Sequence, residues 1–285
     1  MSRFFNLSQK KSTVYQPANG NSRHSLDIEN LVDTSLEPQH QPGEALPSPI
    51  KTATTIHLKS GLPVVLAESG GTSHGALEAY RALRTRLLRV QAVQKIRSVA
   101  LTSALKGEGK TLTATNLALC YAQLFNTRVL LVDGDLRTHG LSGLLSHTQG
   151  PGLAEVLQGS APFESAVVST NLANLFVVGA GESSIAASEL YAKPQWKDFM
   201  EWCGESFNLV LVDSPPILGL ADFELIAARC DGIVMVVRAR ATERETLENA
   251  VRELDKKKLL GVVLNGHEGS HKPYYYDYGR SVTKK

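Results

Sequence analysis

A glycine-rich segment that ends in Lys-Thr carries the clearest chemistry in the sequence. Residues 103–111 read Ser-Ala-Leu-Lys-Gly-Glu-Gly-Lys-Thr, and they lie between the apolar run 98–102 and a helical pattern that begins at Leu112. A strand, a glycine-rich loop and a helix in this order are typical of a phosphate-binding loop (P-loop), whose backbone N–H groups surround a polyphosphate. The N-terminus of the helix adds partial positive charge at the same place.

The residue types within this loop indicate separate roles. Lys110 can reach the β and γ phosphates of a nucleotide, and the Thr111 hydroxyl can ligate Mg2+. The general pattern has a glycine six residues before the lysine, where this chain has Ala104, so a chance glycine-rich turn is the alternative for this segment alone. The residues predicted to contact the nucleotide are Ser103, Gly107, Glu108, Gly109, Lys110, Thr111 and Leu112.

Two apolar runs further along the chain end in carboxylates. The run 129–132 is followed by Asp133 and Asp135, which can face the same side because residues i and i+2 of a strand project together. The run 209–212 ends at Asp213, as expected of a carboxylate that holds Mg2+. A single Asp at the end of a strand can also simply cap a loop, but the P-loop followed by these two elements in this order favours a nucleotide site. The predicted metal ligands are Thr111, Asp133 and Asp213.

Strand and helix patterns alternate around these residues. The apolar runs are continuous, as expected of strands that helices cover on both faces, and amphipathic patterns separate them. This order predicts an α/β fold with a doubly wound, mostly parallel sheet, in which ligands bind at the carboxyl ends of the strands. The strands are expected at about 98–102, 129–133, 175–178, 208–213, 232–237 and 261–264, and the helices at about 78–94, 109–125, 196–205, 221–229 and 242–257.

Composition divides the chain into three parts. Residues 1–60 are rich in Ser, Asn, Gln, Pro and Thr without an apolar period, which is typical of a disordered arm or tether. The remaining residues are enough for one α/β domain with a sizeable core. We therefore predict a disordered arm at 1–70, a P-loop domain at 74–266 and a flexible tail at 267–285.

Charge and hydropathy exclude several classes of function. The formal net charge of the 285 residues is +2, so global charge indicates neither nucleic-acid nor membrane binding. The longest apolar runs are the length of a strand, well below the roughly 18–20 residues of a membrane span, and the N-terminus lacks a signal-peptide core. The three cysteines lack metal-ligand spacing and are predicted to be buried thiols in a reducing cytosol. They are Cys120, Cys203 and Cys230.

Two further motifs flank the predicted site. Residues 78–84 have the form Glu-x-x-Arg-x-x-Arg, which by charge alone is an ordinary solvated helical face. Near the C-terminus, four tyrosines occupy five positions after a Gly- and Pro-containing stretch. They form either a sticky aromatic tail or, beside a Mg-ATP site, a substrate for autophosphorylation. These tyrosines are Tyr274, Tyr275, Tyr276 and Tyr278.

Taken together, these motifs resemble the bacterial tyrosine kinases (BY-kinases) of capsule and exopolysaccharide synthesis, within the deviant-Walker P-loop ATPases. The resemblance covers roughly residues 74–285 and depends on Gly-Glu-Gly-Lys-Thr at 107–111, Asp-Gly-Asp-Leu-Arg at 133–137 and Asp-Ser-Pro-Pro at 213–216. The partition and septum-positioning ATPases share this fold, but they carry a signature lysine where this chain has Leu105. The tyrosine tail also favours the kinases.

The resemblance implies an ATP- and Mg2+-dependent protein tyrosine kinase that phosphorylates the tail of a neighbouring subunit. It implies a ring homo-oligomer, a transmembrane polysaccharide-chain-regulator adaptor, a tyrosine phosphatase, a cytoplasmic location at the membrane through that adaptor, and no nucleic-acid partner. Asp133 or Asp135 would act on the acceptor hydroxyl, and the sequence does not choose between them. The implied catalytic residues are Lys110, Asp133, Asp135 and Arg137; Asn265 would contact adenine, and Glu78, Arg81 and Arg84 would join subunits.

Two other classes of protein are compatible with parts of this pattern. A nucleotide-switch ATPase of the partition or septum-positioning class would hydrolyse ATP without forming phosphotyrosine. A non-catalytic scaffold would bind nucleotide without turnover, although the intact P-loop lysine and the strand-terminal carboxylates argue against it.

Overall fold

One mixed β-sheet runs through the part of the chain that the computed structural model describes, which is residues 3–5, 55–56, 74–141 and 150–266. Its strands are β1 (Arg3–Phe5), β2 (Thr55–Ile56), β3 (Ser98–Ser103), β4 (Val129–Asp133), β5 (Val167–Thr170), β6 (Leu175–Val178), β7 (Leu209–Asp213), β8 (Gly232–Arg238) and β9 (Leu259–Asn265). The helices are α1 (His74–Gln94), α2 (Lys110–Ala122), α3 (Leu153–Gln158), α4 (Phe163–Ala166), α5 (Ala187–Tyr191), α6 (Pro194–Ser206), α7 (Asp222–Ala228) and α8 (Arg244–Glu253).

The strand order is β1-β9-β8-β3-β7-β4-β6-β5-β2. The strands from β9 to β6 in this order are all parallel, whereas β1 pairs antiparallel with β9, and β5 pairs antiparallel with β6. The P-loop strand β3 therefore lies in the middle of the sheet, next to β7, and β4 follows on the far side of β7. Asp133 and Asp213 are opposite each other in the β4–β7 register, so both carboxylates lie at the carboxyl edge of the sheet.

Two apolar cores, one on each face of the sheet, explain the continuous hydrophobic runs. Along β4, Leu130 and Val132 belong to one core, and Val129 and Leu131 belong to the other. The first core also contains apolar side chains from α3, α5, α6 and α7, and the second contains those of α1 and α2. Because helices cover both faces, the residues of the central strands β3, β4 and β7 are buried whichever face they point to. The predicted doubly wound architecture is therefore confirmed.

Helix α1 packs on α2, which carries the P-loop lysine at its first position. Leu83 and Leu87 face the core between them. Arg84 Nη1 donates a hydrogen bond to the carbonyl oxygen of Cys120 at 2.7 Å, and the Tyr121 hydroxyl donates to Gln91 Oε1 at 2.9 Å. A positively charged side chain that binds a carbonyl in the last turn of a helix stabilises that helix. Through Arg84, α1 therefore stabilises the C-terminal end of α2, which is remote from the nucleotide site.

All six predicted strands and all five predicted helices are present, with differences at their ends. Gly109 was predicted as the first residue of its helix, but it adopts a left-handed conformation (φ 94°) and α2 begins one residue later. The helix predicted to continue to residue 257 ends at Glu253, because Leu254 is extended (φ −82°, ψ 140°). The elements that were not predicted, β1, β2, β5, α3, α4 and α5, are two to six residues long and therefore too short for a periodic signal.

Several predictions concern residues near the ends of the chain. The strands β1 and β2 lie within the predicted disordered arm, 1–70; its other residues, like the predicted flexible tail at 267–285, lie outside the described residues. The helices that the structure does describe include none with the length and apolar character needed to cross a bilayer. The three cysteines are buried and unpaired, as predicted.

The packing of α1 gives a direct test of this fold. Leu87 is fully buried between α1 and α2, whereas the adjacent Leu88 is 37% exposed. Leu87→Ala should lower the free energy of unfolding by about 2–5 kcal/mol, because it removes buried methyl groups and leaves a cavity. The matched control Leu88→Ala should change it by less than about 1 kcal/mol. Urea unfolding followed by circular dichroism measures both, and equal losses would contradict the observed orientation of α1.

Candidate active site

The P-loop connects the end of β3 with the start of α2. Gly107 (φ 87°) and Gly109 (φ 94°) both adopt left-handed backbone conformations, which glycine reaches without the strain that a side chain would add. The first helical hydrogen bond of α2 runs from the Thr113 N–H to the Gly109 carbonyl at 2.9 Å. The loop therefore turns sharply at two points and places Lys110 and Thr111 in the first turn of α2, as the sequence predicts.

Two of the predicted nucleotide-binding residues use their side chains to hold the loop itself. The Ser103 hydroxyl donates a hydrogen bond to the Leu105 carbonyl at 2.6 Å. Glu108 Oε2 accepts one from the Leu105 N–H at 2.9 Å, and Glu108 is only 4% exposed. Ser103 and Glu108 thus fix the shape of the loop, and what they offer to a nucleotide is their backbone.

Lys110 forms a buried ion pair with one of the predicted catalytic carboxylates. Its Nζ lies 3.1 Å from Asp135 Oδ2, and the two side chains are 9% and 2% exposed. Burial acts to raise the pKa of Asp135, but hydrogen bonds from Thr138 and the charge of Lys110 outweigh it, and the pKa lies below its usual value. Asp135 is therefore ionised, and its partner is the residue predicted to bind phosphates.

Asp133 and Asp213 are completely buried. One oxygen of Asp133, Oδ2, accepts a hydrogen bond from the Leu141 N–H at 3.0 Å. The other oxygen of Asp133 and both oxygens of Asp213 meet no donor with full hydrogen-bond geometry among the described residues, although the Thr111 hydroxyl is near enough to Asp213 to act on its pKa. Burial and the charge of Asp213 raise the pKa of Asp133 to about 8, and burial, opposed by the charge of Lys110 and the Thr111 hydroxyl, raises that of Asp213 to about 6.

These oxygens suit a magnesium ion. An added Cβ at Gly140 would lie 2.9 Å from Thr111 Oγ1 and 3.4 Å from Asp213 Oδ2, so both oxygens border the same small space. Mg2+ prefers such hard oxygen ligands and usually takes one or two carboxylates together with water and substrate phosphates. Thr111, Asp213 and Asp133 therefore fit the predicted role.

Close backbone contacts hold the two strand ends together. The Gly134 N–H donates to the Asp213 carbonyl at 2.8 Å, and an added Cβ at Gly134 would lie 2.8 Å from Val212 Cγ1. The Tyr191 hydroxyl donates to the Gly134 carbonyl at 2.7 Å. Burial raises the pKa of Tyr191 well above its usual value, so this hydroxyl remains a donor. Gly134 is thus required between the two aspartates for steric reasons.

Arg137 lies at the rim of the site and is turned toward α7. Its Nε is 2.6 Å from Asp222 Oδ2 and its Nη2 is 3.3 Å from Asp222 Oδ1, a bidentate geometry that favours a fixed orientation. The Arg137 side chain is 46% exposed and that of Asp222 is 3% exposed. Hydrogen bonding and charge from Asp222 raise the pKa of Arg137. Arg137 can meet a substrate from this position, but it does not contact the aspartates of the site.

A cavity opens beside Arg137. Its volume is about 430 Å³. It is bordered by the segment that follows Asp135 and by residues 181–190, which include the start of α5. Its lining includes Leu136, Arg137, His139, Ala154, Ile185 and Leu190.

The residue predicted to contact adenine lies on the outer side of the P-loop, and the residues predicted to join subunits lie on α1. Asn265 Nδ2 donates to the Glu108 carbonyl at 2.9 Å, so this amide is bound to the P-loop backbone from outside. On α1, Glu78 and Arg81 form an exposed ion pair of 2.7 Å, which leaves both open to a second chain. Arg84 instead binds within its own chain, on α2. The adenine contact and the oligomer remain predictions.

The structure therefore brings together the P-loop and the carboxylates that follow β4 and β7. The side chains that converge at its mouth are Lys110, Thr111, Asp133, Asp135 and Asp213, while Arg137 lies at the rim and Glu78, Arg81 and Arg84 lie on α1. The predicted phosphorylation sites, Tyr274, Tyr275, Tyr276 and Tyr278, lie outside the described residues. Three further residues contribute to the site through tertiary contacts that have no local sequence signal. They are Gly140, Tyr191 and Asp222.

Comparison with known proteins agrees with this geometry. Residues 96–260 match a family model described as an AAA domain. The tyrosine-protein kinase YwqD of Bacillus subtilis is 34% identical over 204 residues, which cover 71% of this chain and 86% of the relative. The tyrosine-protein kinase CpsD of Streptococcus agalactiae is 32% identical over 213 residues, covering 73% and 92%. The structure of the kinase domain of the Escherichia coli tyrosine kinase ETK superposes with a TM-score of 0.65 at 27% identity, covering 71% of this chain and 80% of that one.

The space beside Gly140 can be tested by filling it. Gly140→Ala should weaken Mg-ATP binding by roughly 10-fold or more, because the added methyl group would crowd Thr111 Oγ1 and the Asp213 carboxylate. Binding of ATP in the presence of EDTA should change much less. Titration of a fluorescent ATP analogue with and without Mg2+ measures the difference. The matched control is Gly204→Ala in α6, where an added Cβ meets nothing within 4 Å.

Because the two buried carboxylates have raised pKa values, a fall in pH should stabilise the metal-free fold and weaken the binding of Mg2+. The pKa values of Asp133 and Asp213, about 8 and about 6, lie above the usual 3.8, so the folded state binds more protons than the unfolded state between those limits. Without metal, their contribution to the free energy of unfolding should therefore increase as the pH falls from about 8 to about 4. Protons compete with Mg2+ for these oxygens, so Mg2+ affinity should increase as the pH rises.

Urea unfolding without metal and Mg-ATP titrations, both at several pH values, test this pair of slopes. Asp213→Asn removes one of the two groups and should flatten the pH dependence of unfolding. An unchanged slope in this variant would show that other groups are responsible.

Proposed function

The chain belongs to the bacterial tyrosine-protein kinase family, and on that premise we propose that it transfers the γ-phosphoryl group of ATP to tyrosines of its own C-terminal segment. The observation that carries this proposal is the convergence of Lys110, Thr111 and the aspartates of β4 and β7 at the mouth of the P-loop. A site of this kind acts by positioning the reactants and by stabilising charge.

In this mechanism the first turn of α2 binds the phosphates. The N–H groups of the loop and the N-terminus of α2 attract the polyphosphate. Lys110 turns from Asp135 toward the transferred phosphoryl group, where its charge stabilises the transition state. Thr111 and Asp213, with Asp133 beside them, would hold Mg2+, which when bound neutralises charge on the phosphate oxygens.

The geometry favours Asp135 as the group that orients the acceptor hydroxyl. Asp133 has one oxygen fixed by the Leu141 N–H and is completely buried next to Asp213. Asp135 is ionised through its ion pair with Lys110, and the segment that lines the cavity begins at the next residue. When Lys110 moves to the phosphates, the Asp135 carboxylate becomes free to accept a hydrogen bond from a tyrosine that enters through this cavity.

The wider role is proposed from the family. We infer a function in capsule or exopolysaccharide synthesis, with a transmembrane adaptor at the membrane, a phosphatase that resets the tail, and a ring of subunits in which each tail enters a neighbour. The exposed Glu78–Arg81 pair on α1 supports a subunit contact at that helix. Arg84 would contribute indirectly, because it fixes α1 on α2.

Phosphorylation of the tail is the direct test. Purified protein incubated with Mg-ATP should gain phosphate on Tyr274, Tyr275, Tyr276 or Tyr278, as measured by mass spectrometry of the C-terminal peptide. Lys110→Met should abolish the signal. Asp135→Asn should abolish it while ATP still binds, since this residue is assigned to the acceptor. ATP hydrolysis without phosphotyrosine, even with the cytoplasmic segment of an adaptor added, would instead support a nucleotide-switch ATPase.

A mixing experiment distinguishes transfer within a chain from transfer between chains. Full-length Lys110→Met protein is combined with full-length protein in which all four tail tyrosines are changed to Phe. Phosphate on the tail of the Lys110→Met chains can come only from another molecule. If the wild-type protein is phosphorylated but this mixture is not, the reaction occurs within one chain.

A further inference from the structure

The P-loop is held from outside by residues that belong to neither the phosphate-binding motif nor the metal site. Arg238, the last residue of β8, donates from Nη1 to the Gly107 carbonyl at 3.1 Å. The Thr242 hydroxyl, on the turn between β8 and α8, donates to Glu108 Oε1. Asn265, the last residue of β9, donates from Nδ2 to the Glu108 carbonyl at 2.9 Å. We call Arg238, Thr242 and Asn265 the outer clamp.

The clamp fixes the direction of two peptide groups. In a trans peptide unit the C=O of one residue and the N–H of the next point in opposite directions. When Arg238 holds the Gly107 carbonyl outward, the N–H of Glu108 is therefore turned to the other side of the loop. In the same way, the bond from Asn265 to the Glu108 carbonyl turns the N–H of Gly109 inward. These inward N–H groups are the donors that a P-loop offers to phosphates.

The clamp also controls a negative charge. The Glu108 carboxylate is 4% exposed and lies in the same loop that must accept a polyanion. Its two oxygens are bound by the Leu105 N–H and by the Thr242 hydroxyl. A buried carboxylate that loses one of its donors is strongly destabilised. Without Thr242, Glu108 would leave this position, release Leu105 and carry its charge toward solvent or the phosphates.

We propose that Thr242 and Arg238 are positioning residues for the nucleotide, which set the P-loop by fixing Glu108 and the Gly107 carbonyl. This inference rests on the proposed ATP site, but it concerns residues 130 or more positions away in sequence. Two of the three clamp residues come from the ends of the adjacent strands β8 and β9, so the sheet itself places them beside the loop.

The test is a hydroxyl deletion with its conservative rescue. Thr242→Val should raise the Kd and KM for Mg-ATP by about 10-fold, since a hydrogen bond to a charged group is lost, while kcat at saturating ATP falls less than about 3-fold. Thr242→Ser keeps the hydroxyl and should restore both constants. If Thr242 only stabilised the fold, Thr242→Val would lower the thermal stability, but it would not raise KM for Mg-ATP while leaving kcat nearly unchanged.

Two controls keep the result interpretable. Thr127→Val removes a hydroxyl that donates to the Phe125 carbonyl at 3.2 Å, just before β4 and at the opposite edge of the sheet, and it should leave ATP binding unchanged. Arg238→Ala changes an exposed residue, so it provides a second variant if Thr242→Val does not fold. It should also weaken ATP binding.

A double-mutant cycle identifies the partner. If Thr242 acts through Glu108, combining Thr242→Val with Glu108→Gln should give an effect clearly smaller than the product of the two single effects. Wild-type ATP affinity in both Thr242→Val and Arg238→Ala would overturn the proposal. Failure of the wild-type protein itself to bind ATP would instead overturn the proposed function, so the two failures are distinguishable.

Discussion

Asp133 and Asp213 end adjacent parallel strands, where both carboxylates are completely buried, and the rest of the site is arranged around this burial. Burial disfavours the charged forms of both groups and raises their pKa values. Lys110 is the nearby cation, but its ion pair is with Asp135. A cation held beside both carboxylates would favour their charged forms and lower both pKa values.

Backbone hydrogen bonds join the ends of β3, β4 and β7, and they hold the buried carboxylates in place. Gly134 lies against the Asp213 carbonyl, and the Ser214 N–H donates to Leu101 at 3.0 Å. The Ile217 N–H donates to the Ser103 carbonyl at 2.9 Å, which joins the segment after β7 to the P-loop. Two apolar cores hold the sheet from both faces. The positions of the charged groups are therefore set by the sheet and not by their own interactions.

The same sheet connects the P-loop with the strand that precedes the tyrosine-rich segment. The outer clamp reaches the P-loop from β8 and β9, and the chain leaves β9 at Asn265 to continue into the tyrosine-rich segment. The P-loop is thus bonded directly to the last residue of β9, after which the chain continues toward its own tyrosine-rich segment. On the acceptor side, Arg137 and Asp222 fix the wall of the cavity next to Asp135.

The sequence by itself determined the P-loop, the strand-terminal aspartates and the doubly wound sheet. Long apolar runs and the spacing of glycines are patterns of neighbouring residues, and they can be recognised without knowledge of the tertiary contacts. The sequence did not predict β5 or α3–α5, which are too short to show a period. The pairing of Lys110 with Asp135, of Arg137 with Asp222 and of Thr242 with Glu108 joins residues 25, 85 and 134 positions apart. Only the tertiary structure decided these partners, since parallel strands bring distant segments to one edge and no local pattern records which side chains meet there.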